Sequence, residues 1–132
     1  MARKNSQDGI SQTHLLFDHT NNKIVSYYST CNYSIQKKSL IPFFKFPVKQ
    51  IPASLIGRLA VDKNYKKMGY GEITLVEALK QIRGISRITG IKIVLVDALN
   101  DSAASFYKNF GFIALSDEPM RLFIKVSDID NL

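Results

Sequence analysis

Two stretches decide how this chain folds: Lys66-Lys67-Met68-Gly69-Tyr70-Gly71, and Asn100-Asp101-Ser102-Ala103-Ala104-Ser105-Phe106-Tyr107 running on into Lys108-Asn109-Phe110-Gly111-Phe112. The first lies between a strand pattern and a helix pattern. Its glycines let the backbone turn sharply and leave N–H groups uncovered, and the start of the following helix adds a partial positive charge. With two lysines just in front, the stretch predicts a pyrophosphate cradle. It is not a P-loop, because no Gly-Lys is followed by Ser or Thr. Nor is it a dinucleotide fingerprint: Thr74 stands where the third glycine belongs, and Asp97 lies too far along to be its acid.

Working outward, Leu75, Ala78, Leu79 and Ile82 recur at i, i+3, i+4 and i+7, one apolar stripe of a helix. Gly84 weakens that helix and Thr89-Gly90 stops it. Ile91 to Ala98 is almost wholly apolar, which suits a strand covered on both faces, as in a parallel sheet. Asn100 or Asp101 caps a second helix whose core stripe is Ala103, Phe106, Tyr107 and Phe110, and Gly111 closes it. Phe112–Leu115 and Arg121–Val126 read as closing strands. Upstream, Ser54–Val61 is a strand in which Gly57 marks a bulge or a close backbone approach. Thr13–Phe17 and Lys23–Thr30 form a hairpin across the turn Asp18 to Asn22. Residues 1–11 read as a lead-in without structure. In residues 31–53, Pro42, Pro47 and Pro52 forbid a continuous helix or inner strand. Phe43-Phe44-Lys45-Phe46 between them reads as a loop folding its rings onto the core, rather than as an aromatic-basic surface for nucleic acid.

The chain has 132 residues, one domain on size, and 45% hydrophobic residues with eight Phe and six Tyr, enough for a packed core. Lys and Arg outnumber Asp and Glu 18 to 11, a net charge of +7 that favours anionic partners. The single cysteine, Cys31, excludes an internal disulfide and reads as a packed small residue. His14 and His19 have no partner at ligand spacing, so no metal site is expected. The polar N-terminus lacks a signal-peptide core, and the longest apolar run, Ile93–Val96, is too short to span a bilayer. A cytoplasmic protein without membrane contact is the expectation.

The order of these motifs resembles the GNAT-type N-acetyltransferases: a Gly-x-Gly turn, a helix, an apolar strand, then Asn-x-x-Ala-x-x-Phe-Tyr-x-x-x-Gly-Phe. Gly57-Arg58-Leu59-Ala60-Val61-Asp62, with Val96-Asp97-Ala98-Leu99 and Phe106-Tyr107, is similar to the branch that acts as toxins of toxin–antitoxin pairs. The resemblance is strong over residues 54–126 and weak over 13–30. It implies an α/β fold with a mixed central sheet and a βαβα acetyl-coenzyme A core at 54–126, preceded by a shortened hairpin and loop at 13–53. It also implies roles. Leu59, Ala60 and Val61 pair their backbone with the pantetheine arm and polarise the thioester carbonyl. Lys66, Lys67, Met68, Gly69, Tyr70, Gly71 and Glu72 hold the pyrophosphate, and Asn100 and Ser102 face the cofactor. Tyr107 protonates the departing thiolate, although its place on an apolar stripe also fits plain core; Phe106 and Phe110 read as core.

The chain departs from the family pattern in three places. Lys66 stands where Arg or Gln is usual, and still serves as a point charge for phosphate. Ser54–Val61 contains no acid to act as general base, so the amine arrives neutral or loses its proton through water. The family's N-terminal helices, which wall the acceptor site, are missing from the pattern. That gap predicts an uncovered apolar face and a two-fold homodimer. The expected activity is acetyl transfer from acetyl-coenzyme A to an amine. An aminoacyl-tRNA, with an antitoxin as partner, is one candidate acceptor, and a small amine or a protein is another. A non-catalytic GNAT-like binding module is the alternative from a different class.

Overall fold

The computed structural model describes Arg3–Asn5, Ser11–Gln36 and Gln50–Asn131. Seven strands form one sheet in the order β1-β2-β3-β4-β5-β7-β6. They are β1 (Arg3–Asn5), β2 (Ser11–Asp18), β3 (Lys23–Gln36), β4 (Gln50–Val61), β5 (Ile93–Asp97), β6 (Ile113–Ala114) and β7 (Arg121–Lys125). Two helices, α1 (Tyr70–Thr89) and α2 (Asp101–Asn109), follow β4 and β5. All pairings are antiparallel except β4 with β5, which is parallel. That parallel pair requires the crossover that α1 supplies. Among the described residues no helix is long and apolar enough to cross a membrane.

The apolar stripe of α1 behaves as its spacing requires: Leu75, Ala78 and Leu79 are fully buried and Ile82 nearly so. They pack on Tyr28, Ile56, Val94 and Val96 of the sheet and on Tyr107 of α2. The other sheet face buries Ile51, Ala53, Ile93, Leu95 and Phe123. β5 is thus covered on both faces, as its unbroken apolar run predicts. A buried polar contact crosses the main core. The hydroxyls of Ser26 and Thr74 are buried and 2.7 Å apart, and Thr74 also donates to Tyr70 O at 2.5 Å. Thr74, at the position that excludes a dinucleotide fingerprint, therefore ties the first turn of α1 to β3. Gly90 ends α1 in the left-handed region (φ 76°), its N–H bonding Ser86 O at 2.8 Å.

Four expectations change. Arg3–Asn5 is not an unstructured lead-in but pairs with Gln12–His14 of β2. β3 continues to Gln36 and β4 begins at Gln50, so the hairpin and the cofactor core share one long strand pair. Pro52 lies inside β4, a strand bonded on both sides. Its carbonyl accepts from Lys92 N–H at 3.0 Å, which turns the absent donor toward β5 just before that ladder begins at Ala53. No ladder bond is lost there, so the usual exclusion of proline does not apply. The closing strands are shorter than expected, Ile113–Ala114 and Arg121–Lys125. Pro42, Pro47 and Phe43-Phe44-Lys45-Phe46 lie outside the described residues.

Leu79→Ala should destabilise the fold by about 3 kcal/mol, since a fully buried leucine is exchanged for a cavity. Ile88→Ala, on the same helix but 88% exposed, should change stability by less than about 0.5 kcal/mol. Urea unfolding of the two variants at unchanged slope checks both.

Candidate active site

The site begins where β4 leaves β5. The parallel register runs from Ala53↔Ile93 to Ile56↔Val96 and stops. On its other side β4 stays paired with β3 as far as Val61, but the register shifts so that Ser29 faces Arg58 and Thr30 faces Ile56. Gly57 is the extra residue, a bulge. A Cβ at Gly57 would stand 3.3 Å from Ser29 Oγ, tighter than ordinary contact. Beyond the bulge, β5 turns away: Ala98 N–H bonds Met120 O at 2.8 Å instead of continuing beside β4. The alternate N–H and C=O groups of Leu59–Val61 that do not bond β3 are left facing a gap.

That gap is a cleft of about 760 Å³. Leu59, Ala60 and Val61 line one wall, Lys66, Lys67 and Gly71 a second, and Asn100, Ser102 and Tyr107 a third. These are nine of the positions singled out in the sequence, drawn from four separate elements. Met68, Gly69, Tyr70 and Glu72 do not line it, and Met68 is 63% exposed. Gly69 contributes through its backbone. It is the N-cap of α1 at φ 82°, a conformation that costs glycine nothing. The first bond of the helix runs from Ile73 N–H to Gly69 O at 3.2 Å, so the N–H groups of Tyr70, Gly71 and Glu72 precede the ladder. Lys67 is also left-handed, at φ 65°.

The opposite wall starts at the second helix. Asn100 caps α2, its side chain accepting from Ala103 N–H at 2.8 Å. Tyr107 is 9% exposed and belongs to the main core. Its ring lies 5.3 Å from Phe106 and 5.5 Å from Phe112. Burial pushes the pKa of its phenol above the ordinary value, so the hydroxyl stays protonated well past neutrality. Tyr107 also lines a second cavity of about 460 Å³ with Tyr27, Arg58, Asp97 and Leu99. Leu59, Ala60, Ala103 and Tyr107 are common to both cavities, which places Tyr107 at their junction. Asp97 is the acid of the second cavity. Arg121 engages both of its oxygens, at 2.7 and 3.0 Å.

Sequence reading missed three residues of the first cleft: Tyr65, Ala103 and Phe106. Phe106 was expected as plain core, yet it is only partly buried, and its ring edge lies 3.8 Å from where a Gly71 Cβ would stand. Its position one residue before Tyr107 offered a signal, since adjacent helix residues on the rim of a stripe face its border. Tyr65, inside a polar connection, offered none.

The sequence pattern of the acetyltransferase (GNAT) domain matches residues 11–114. The chain belongs to the GNAT acetyltransferase family. Its activity is that of an acetyl-coenzyme A-dependent N-acetyltransferase. The chain is 26% identical to the "Probable toxin TacT" of Sinorhizobium fredii over 99% of its own length and 78% of that protein's. AtaT complexed with acetyl-methionyl-tRNAfMet superposes with a TM-score of 0.86 at 28% identity, over 95% of this chain and 76% of that one. AtaTR bound with acetyl-coenzyme A superposes with a TM-score of 0.79 at 30% identity, over 95% and 76%. The GNAT likeness thus covers the hairpin region as well as the two motifs.

Acetyl-coenzyme A at about a hundred times its dissociation constant should stabilise the chain by roughly 2.7 kcal/mol, read as a thermal shift. Gly71→Glu should abolish the shift without unfolding the protein. A Cβ at Gly71 meets only Phe106 at ordinary contact distance, but the new carboxylate would stand in the cleft beside Lys66 and Lys67 and repel the phosphates.

Proposed function

We propose that this GNAT enzyme acetylates the α-amino group of an aminoacyl-tRNA in the cytoplasm, as the toxin of a toxin–antitoxin pair. The observation that carries the reading is the position of Tyr107 between two joined cavities. The first fits the donor: an unpaired strand edge for a pantetheine arm, then a helix N-terminus and two lysines for a pyrophosphate. The second, open to the exposed Leu99 side, fits the aminoacyl end of an acceptor. The net charge of +7 suits a polyanionic acceptor, and the likeness to AtaT bound to an acetylated aminoacyl-tRNA supports it. An antitoxin partner and a homodimer belong to the same proposal.

Acetyl-coenzyme A supplies an activated thioester carbonyl. The backbone N–H groups of Leu59–Val61 that face the cleft donate to the carbonyl oxygen as negative charge develops there. The neutral amine attacks from the second cavity. The Tyr107 hydroxyl, kept protonated by burial, gives its proton to the departing sulfur. β4 carries no acid, and Asp97 at the end of β5 is already engaged by Arg121, so the amine's proton leaves through water. Incubation with labelled acetyl-coenzyme A and a panel of aminoacyl-tRNAs, peptides and small amines tests the acceptor. Label on at least one aminoacyl-tRNA is expected; label on peptides or small amines alone would contradict the reading.

Tyr107→Phe keeps the ring and its contacts with Phe106 and Phe112. Its stability cost should be near 1 kcal/mol. Turnover on the true acceptor should fall about a hundredfold with coenzyme affinity unchanged, the usual contribution of a general acid. Near-normal turnover would make Tyr107 a core residue only.

A further inference from the structure

The tip of the β2–β3 hairpin reaches across to the phosphate loop. Asp18 ends β2, and its Oδ1 accepts from the backbone N–H groups of Thr20 at 3.0 Å and Asn21 at 3.2 Å. Its Oδ2 accepts from Asn21 Nδ2 at 2.9 Å and, at 2.8 Å, from the phenol of Tyr65, 47 residues further along. Tyr65 ends a short helical turn at Lys63–Tyr65 and lines the first cleft next to Lys66 and Lys67. Its ring stands edge-on to Tyr70, the first residue of α1, at 5.6 Å and 87°. The start of the loop is fastened too: Asp62 N–H bonds Val25 O at 2.8 Å, and the Asp62 carboxylate accepts from Asn64 N–H at 2.9 Å.

An aspartate near an anion site is an odd choice unless its charge is engaged. Here four donors engage it. The Tyr65 phenol, first among them, holds the Asp18 carboxyl below the usual aspartate range, and the same bond pushes the phenol up. At neutral pH, donor and acceptor both keep the protonation state that the bond needs.

We propose that the Asp18–Tyr65 hydrogen bond is a latch through which the hairpin tip positions the loop Asp62–Met68, setting Lys66, Lys67 and the first N–H groups of α1 against the phosphates of coenzyme A. The proposal rests on the first cleft being the coenzyme A site. Asp18 is a positioning residue that acts through Tyr65. A bond that merely stiffened the hairpin would leave ligand affinity alone. A bond that sets the loop changes affinity only for ligands that carry phosphates.

The test compares wild type, Asp18→Asn, Tyr65→Phe and the double variant. Asparagine keeps the turn, since one oxygen still accepts from Thr20 and Asn21, but it presents an amide NH₂ to Tyr65. Two quantities are read: calorimetric affinity for coenzyme A and for pantetheine, which lacks the phosphates, and amide hydrogen exchange without ligand. Each single variant should speed exchange over residues 62–68 and weaken coenzyme A by about tenfold, the scale of one charge-assisted hydrogen bond. Pantetheine affinity should not move, and the double variant should be no weaker than the singles, because both remove one bond. Unchanged exchange over 62–68 in both variants overturns the latch, as does equal weakening of coenzyme A and pantetheine. If wild type bound no coenzyme A, the assignment of the cleft would fail, and the exchange measurement would still uphold or overturn the latch.

Discussion

β4 is bonded on both sides as far as Ile56 and on one side beyond it, and the rest of the molecule is arranged around that change. A strand interior with free N–H and C=O groups is costly to bury without a partner. It is tolerated here because the gap is open to solvent and available to an extended ligand. The bulge at Gly57 shifts the β3 register, β5 departs through the Ala98–Met120 bond, and α2 begins at Asn100 on the far side of the opening. Hairpin, capped helices and sheet pack around two apolar clusters, one on each face of β5, and the cleft is what that packing leaves over.

Charge then distinguishes the two ends of the cleft. At one end stand Lys66, Lys67 and the unbonded N–H groups that open α1, a concentration of positive potential suited to phosphate. At the other stands a protonated phenol in an apolar wall of Leu59, Ala103 and Phe106. A ligand with a phosphorylated head and an acylated thiol tail has one way to lie between them. The Ser26–Thr74 contact fixes the helix end of this axis to the sheet, and Asp18 fixes the loop before it through Tyr65. Both anchors come from the β2–β3 hairpin and its strands, so the antiparallel half of the sheet supports the donor site as well as completing the core.

Local signals were legible in the sequence and long-range ones were not. The stripe Leu75, Ala78, Leu79, Ile82, the Asn100 cap and the Gly57 bulge each express one residue's preference within one turn or one pleat, and each stands where its spacing places it. Pro52 was misread because proline's exclusion from sheets depends on which side its nitrogen faces, and a sequence does not show the side. β1 was missed because three polar residues form a strand only when β2 offers its edge. In the site, nine of the positions line one cleft. Tyr65 and Asp18 could not be paired in advance, since 47 residues separate them and neither belongs to a motif. Met68 and Glu72 do not line the cleft, though Glu72 still offers its backbone N–H at the start of α1.

The opening between β4 and α2 should take the coenzyme A arm along the backbone of Leu59–Val61. Backbone amide shifts of uniformly labelled protein, followed during titration with acetyl-coenzyme A, test it most directly. The largest changes should fall on residues 59–61, 66–72 and 100–103 and leave the loop 117–120 and the β3 end near Tyr33 unmoved. Changes centred on that loop, with Leu59–Val61 silent, would contradict it.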